Sequence, residues 1–139
     1  MQAVDTNVLI RILVTDDKQI EQVKLARQFA KKAKKLFIPQ IVQVELVWVL
    51  DAAYALNKSE IIQILQHLQT NEAFQLQNEF EFSQALQLFQ SNNVDFSDCL
   101  ILMESKKENC EMITFDKKFS RLPKVICLDS SIKKPNVEL

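Results

Sequence analysis

The segment Val4-Asp5-Thr6-Asn7 puts a carboxylate between a short apolar-leaning run and a stretch with helical spacing. Asp116 follows Ile113-Thr114-Phe115 in the same way. In an open parallel sheet, ligands gather beyond the carboxyl ends of the strands, so acids ending two neighbouring strands would face one crevice and could hold a metal ion. Each also has a plainer reading, Asp5 as a helix N-cap and Asp116 as a turn residue. Glu45 is harder to explain away, because it lies inside IVQVELVWVL, which leaves little polar surface. A helix apolar nearly all round is buried. That predicts Glu45 at least half covered and met by something cationic, since an unpaired buried carboxylate is costly or takes up a proton. The alternative is that Gln43 and Glu45 mark one narrow strip facing solvent. Asp95 and Asp98 share one face at a helix start. A capping box accounts for Asp95 and leaves Asp98 at the edge of the core, before the apolar run Cys99-Leu100-Ile101-Leu102-Met103.

Those acids need elements to position them. Gln2 to Val4 reads as a short strand, and Val8, Leu9, Ile12 and Leu13 have helical spacing within Thr6 to Val14. Asp16 or Asp17 is placed to cap a second helix, in which Ile20, Val23, Leu25, Ala26, Phe29 and Ala30 make the apolar side. Leu36-Phe37-Ile38, stopped by Pro39, suits a buried strand. Gln40 to Ala55 predicts a helix, Ser59 with Glu60 opens another, and Phe74, Leu76 and Asn78 alternate as a weak strand. Glu79 to Gln90 is amphipathic, and a further helix runs from Asp95 to near Asn109. Met112 to Phe115 and Val125 to Leu128 are the final strands, with a polar tail from about residue 130. Strands separated by helices imply parallel pairing with right-handed crossovers, hence an α/β sandwich. A length of 139 residues suits one domain, 1–139.

Composition removes several chemistries. The chain has no glycine, so a P-loop, a dinucleotide fingerprint and a G-x-S-x-G elbow are all excluded. Left-handed helix ends should then fall to Asn57, Asn71, Asn92, Asn93 and Asn109. The three cysteines form no C-x-x-C pair, which fits reduced thiols in a cytosol. No apolar run is long enough to span a bilayer, and a cytoplasmic protein is expected. His67 is the only histidine, so acid–base RNA cleavage by a histidine pair is out. A haloacid-dehalogenase-like phosphatase would want an Asp where Asn7 stands. The net charge of −1 gives no global basic field. Lys31, Lys32, Lys34 and Lys35 read as a solvated helix end. Arg11, Lys117, Lys118 and Arg121 lie nearer the acids, where they could grip phosphates or simply face solvent. Phe29, Phe37, Trp48, Phe82, Phe89 and Phe115 fall at core spacing, and Tyr54 is expected at an exposed surface.

MQAVDTNVLIRIL, a Glu inside an apolar helix after a Pro-ended strand, VDFSDCLIL and ITFDKKF occur here in order. Together they resemble the PIN-domain ribonucleases, and most of all the VapC-type toxins of toxin–antitoxin pairs, up to about Leu128. The resemblance implies a PIN-like three-layer sandwich with a central, mostly parallel sheet of about five strands. It matches Asp5, Glu45, Asp98 and Asp116 to the family's acidic quartet, Asp95 to a further acidic position, and Asn7 and Thr114 to polar residues that line the pocket. Ser97 and Lys118 depart from the family pattern, which commonly has Ala and Gly there. Hard oxygen ligands with no His or Cys would select Mg²⁺ or Mn²⁺. The implied activity is metal-dependent hydrolysis of RNA by a homodimeric toxin silenced by an antitoxin. Other members of such a family would be RNA-processing nucleases without an antitoxin, or inactive binding modules. A complete quartet of mutually repelling acids argues against the last.

Overall fold

The computed structural model describes residues 1–129; the polar tail expected from about residue 130 lies outside them. Strand β1 (Gln2–Ala3) leads into helix α1 (Thr6–Leu13). Asp5 caps α1, its Oδ1 accepting from the Val8 N–H at 3.0 Å. A 3-10 turn at Asp17–Gln19, capped by Asp16, delivers the chain to α2 (Ile20–Ala33). Then follow β2 (Leu36–Ile38), α3 (Gln40–Ala52), α4 (Lys58–Thr70), β3 (Phe74–Leu76) and α5 (Glu79–Ser91). Helix α6 (Phe96–Lys107), β4 (Met112–Thr114), a 3-10 turn at Phe119–Arg121 and β5 (Val125–Cys127) complete the described chain.

Every strand pair among the described residues is parallel, as helix-separated strands require. β1 pairs with β2, with Ala3 opposite Phe37, and β2 pairs with β3, with Ile38 opposite Leu76. β4 pairs with β5, with Thr114 opposite Cys127. The five strands therefore hydrogen-bond as one ladder ordered β1-β2-β3 and a second of β4-β5. β1 is only two residues long, and its continuation, the Val4 N–H, bonds to the Phe37 carbonyl of β2 at 3.3 Å. The α/β architecture holds, and the carboxyl ends of β1 and β4 carry Asp5 and Asp116 as expected.

The core is sealed by Leu36, Ile38, Leu46, Leu50, Leu65 and Leu68, all buried. Phe96 sits edge-to-face with Phe82 at 5.6 Å and with Phe89 at 5.7 Å, locking the start of α6 onto α5. Truncating such a ring would cost about 3–5 kcal/mol, so the α6 N-terminus is a firm platform.

Several expectations are corrected. Helix α3 is not buried all round: Val42, Gln43, Leu46 and Leu50 face inward, while Ile41, Glu45 and Trp48 face outward. Glu45 is exposed, and the buried polar residue is Gln43. Its Nε2 donates to the Ile38 carbonyl at 3.2 Å and the Gln77 carbonyl at 2.9 Å, tying α3 to the ends of β2 and β3. Trp48 (57 % exposed) and Phe115 (76 % exposed) are not core residues. Left-handed backbone falls at Lys34, Ala55, Asn78, Asn109 and Lys124, so only Asn109 of the expected asparagines takes that role. Asn57 instead N-caps α4 through a capping box with Glu60, which places the helix start ahead of Ser59. Asn78 is a left-handed N-cap of α5 rather than a strand residue. No helix among the described residues is long and apolar enough to cross a membrane.

Candidate active site

The first part of the site is built where β1 meets α1. Capping fixes Asp5, because the Val8 N–H holds Oδ1, and a helix N-terminus favours the negative charge. Its neighbour Thr6 donates from Oγ1 to Glu45 Oε1 at 3.3 Å, linking the start of α1 to the middle of α3. Glu45 was expected to need a cation; it meets a hydroxyl and solvent. Sequence reasoning missed Thr6 as its partner, and the available signal was a hydroxyl residue directly after the capping Asp.

Asp5, Asn7 and Arg11 line one groove of about 620 Å³, together with Val8, Leu25 and Phe29. Arg11 is anchored rather than loose. Its Nε donates to Gln22 Oε1 at 2.9 Å, and its Nη1 donates to the Tyr54 hydroxyl at 2.8 Å. Tyr54 in turn donates to Asp16 Oδ2 at 2.9 Å. Tyr54, expected at an exposed surface, is thus a part-buried bridge. Its hydroxyl bond, then the backbone N–H of Lys18, hold Asp16 below the usual carboxylate range. Burial first, then the bond to Asp16, raise the Tyr54 phenol.

The second part of the site joins the start of α6 to the end of β4. Asp95 occupies the N-cap position of α6, yet its side chain makes no capping bond, so the expected capping box does not form. Asp98, one turn further on and half-buried, has its carboxyl raised by burial and then by the charges of Asp95 and Asp116. Acids from two elements, α6 and the turn after β4, therefore act on Asp98. Asp116 is held in its turn, with Oδ1 accepting from the Lys118 N–H at 2.8 Å and the Phe119 N–H at 3.2 Å. Thr114 Oγ1 accepts from the Asp116 N–H at 3.0 Å, so this residue sets the turn that aims the acid. Lys117, Lys118 and Arg121 are exposed around that turn. Cys99, adjacent to Asp98, is no nucleophile, because burial and the Asp98 charge push its thiol up to about 12.

The plain readings of Asp5 and Asp116 hold, as helix cap and turn residue: each gives its Oδ1 to backbone N–H groups, which leaves a second oxygen. Among the described residues, no three His, Cys, Asp or Glu side chains form a ready-made metal group. The acids stand as two groups, Asp5 with Thr6 and Glu45, and Asp98 with Asp95 and Asp116. The donor set still fits a hard divalent cation, being all carboxylate, and the crowding at Asp98 is what such a cation relieves.

Residues 3–125 match the PIN domain family. The chain is also 27% identical over 124 residues to a VapC ribonuclease of Aquifex aeolicus (strain VF5), covering 88% of this chain and 92% of that protein. With a match spanning nearly all of the described fold and parallel strands that end in these acids, the chain belongs to the PIN domain family.

Proposed function

We propose that this protein is a Mg²⁺-dependent endoribonuclease, the toxin of a toxin–antitoxin pair, with Asp5, Glu45, Asp98 and Asp116 as its catalytic acids. What supports the reading is the placing of acids at the carboxyl ends of β1 and β4 and at the start of α6, with the Asp98 carboxyl raised by burial and then by the charges of Asp95 and Asp116, in a chain related to a VapC ribonuclease. Structural ion-pair networks perturb carboxylates too, but here every neighbour of Asp98 that shifts it is another acid.

The four acids would hold Mg²⁺, or Mn²⁺ in its place, and the ion would supply charge neutralisation and water activation at the phosphodiester. The chain's own part is orientation. Backbone N–H groups hold one oxygen each of Asp5 and Asp116, so neither carboxylate must lose much rotamer freedom when the site assembles. Thr6 positions Glu45, and Thr114 positions the Asp116 turn. Asn7 faces the same groove as Asp5 and can donate to a phosphate oxygen. Lys117 and Lys118 lie on the exposed side, free to meet the RNA backbone, with Arg11 contributing from its anchored position. The working unit would be a cytoplasmic homodimer, silenced by an antitoxin that covers the acids.

Expression of the wild type should arrest growth, and expression of Asp5→Asn should not. The purified protein should cut RNA in Mg²⁺ and fail in chelator. Cleavage of equal rate in chelator would remove the metal-dependent reading. Cleavage without growth arrest would favour an RNA-processing role.

A further inference from the structure

A second groove opens beside the acids. It has a volume of about 350 Å³, and its walls come from α3, the start of α4 and the segment leading into α6. Trp48 and Asp51 line it from α3, Asn57 from the α4 cap, and Asn93, Asp95 and Ser97 from the approach to α6. Trp48 lies one turn after Glu45 on the outer stripe of α3. It is 57 % exposed in the most apolar helix of the chain, where burial of a ring that size would stabilise the fold. Asp95, the N-cap residue of α6, lines this groove three residues before Asp98, so the groove reaches the start of the helix that carries Asp98.

The lining decides what fits. A phosphate is disfavoured, because Asp51 and Asp95 are anionic. Lys58, a cation in the wall, is already committed: its Nζ donates to the Asn92 carbonyl at 2.7 Å and sits 4.7 Å from the centre of the Phe89 ring. An apolar peptide would bury the two carboxylates without partners, which is costly. A second copy packed here would bury the same two carboxylates in its interface, at the same cost. A flat, neutral, polar group meets none of these objections. It can lie on the indole and offer its edge to carboxylate, amide and hydroxyl groups, and ligand clefts of this size and mixed lining are common.

We propose that this groove is a nucleobase subsite, in which Trp48 stacks on a base next to the scissile phosphodiester and Asp51 selects a base bearing an exocyclic amino group. This rests on the ribonuclease reading and deepens it. Stacking on an aromatic face accepts any base, whereas a carboxylate accepts hydrogen bonds from the exocyclic amino group of adenine, cytosine or guanine; uracil has no amino group, and its one edge donor, N3–H, is flanked by two carbonyl oxygens that repel a carboxylate.

Trp48 is the only tryptophan, so indole emission reports on this groove alone. Full-length Asp5→Asn protein, in Mg²⁺ and unable to cleave, should show saturable quenching by short oligoribonucleotides and none by an abasic oligomer of equal length. Oligomers of A, C or G should quench at lower concentration than oligomers of U. In the active wild-type background, Trp48→Ala should raise KM about 10-fold with kcat little changed, Trp48→Phe should recover most of the loss, and Asp51→Asn should narrow the preference against U several-fold. Emission indifferent to RNA would overturn the proposal. So would an unchanged KM for Trp48→Ala, while Asp5→Asn still abolishes cleavage; the nuclease would then stand without this subsite. Emission that shifts with protein concentration alone, together with a Trp48→Ala protein that falls from dimer to monomer, would assign the groove to a second copy and overturn it too. A wild type that cuts no RNA in Mg²⁺ or Mn²⁺ would sink the ribonuclease reading, and this inference with it.

Discussion

The two parts of the acid site are built on different principles. Around β1 and α1, each acid is given a donor: the Val8 N–H for Asp5, the Thr6 hydroxyl for Glu45. At the start of α6, Asp95 is left without its capping bond and Asp98 is pressed by burial and two further acids. A helix N-terminus whose N-cap is not used for capping has given up a stabilising bond worth about 1 kcal/mol. The first part supplies oriented oxygens, and the second concentrates negative charge. On the metal-dependent reading proposed above, a cation would be needed most at α6.

That contrast can be broken most forcefully by neutralising one acid in each part. Asp5→Asn and Asp98→Asn should each reduce RNA cleavage by about 10³-fold, with far-UV circular dichroism unchanged. Loss from one substitution alone would confine the chemistry to one part.

Stability should separate the parts where activity does not. The Asp98 carboxyl is raised in the folded protein, so between its ordinary value and its folded value the native state holds the proton more tightly. Folding is favoured by that proton at low pH, and the advantage is lost as pH rises through the window above the ordinary Asp range. Metal-free protein should thus lose melting temperature as pH climbs from that range toward neutrality. Asp98→Asn should flatten the slope and raise the melting temperature near pH 7, and Asp5→Asn should keep the slope. Added Mg²⁺ should stabilise the wild type by about 2.7 kcal/mol at a concentration 100 times its dissociation constant, measured by thermal melts in Mg²⁺ against chelator.

The Arg11–Tyr54–Asp16 bridge braces the first part from behind. Tyr54→Phe keeps the ring and removes the hydroxyl, and should cost about 1 kcal/mol in a denaturant titration. The smallest effect is expected from Thr6→Val, whose contact with Glu45 is long at 3.3 Å. A few-fold drop in kcat/KM with unchanged melting temperature would mark Thr6 as a positioning residue.

Local signals were legible where one interaction decides the outcome. Pro39 ended β2, Asp5 capped α1, and each strand followed its apolar run; Asp16 capped the 3-10 turn that precedes α2 rather than α2 itself, whose N-cap is Gln19 with no side-chain bond. The facing of α3 was not legible. Gln43 and Glu45 both sit among apolar neighbours, so no polar stripe sets the helix phase. Packing chose Gln43, whose amide satisfies the Ile38 and Gln77 carbonyls where a carboxylate could donate nothing. The same rotation turned Trp48 outward. Asp95 shows a different gap: its backbone took the N-cap conformation that sequence implied, but its side chain makes no capping bond. Left-handed positions followed a third logic. Without glycine, Lys34, Ala55 and Lys124 adopt positive φ because the surrounding elements require a turn there.

The most direct test of a shared site is a Mn²⁺ titration by calorimetry on the wild type, Asp5→Asn and Asp98→Asn. The expected result is binding in the wild type that both substitutions, one from each part, weaken by at least about 10-fold. Undiminished affinity in either variant would mean that Asp5 and Asp98 do not hold the same cation, and the single acid site would be refuted.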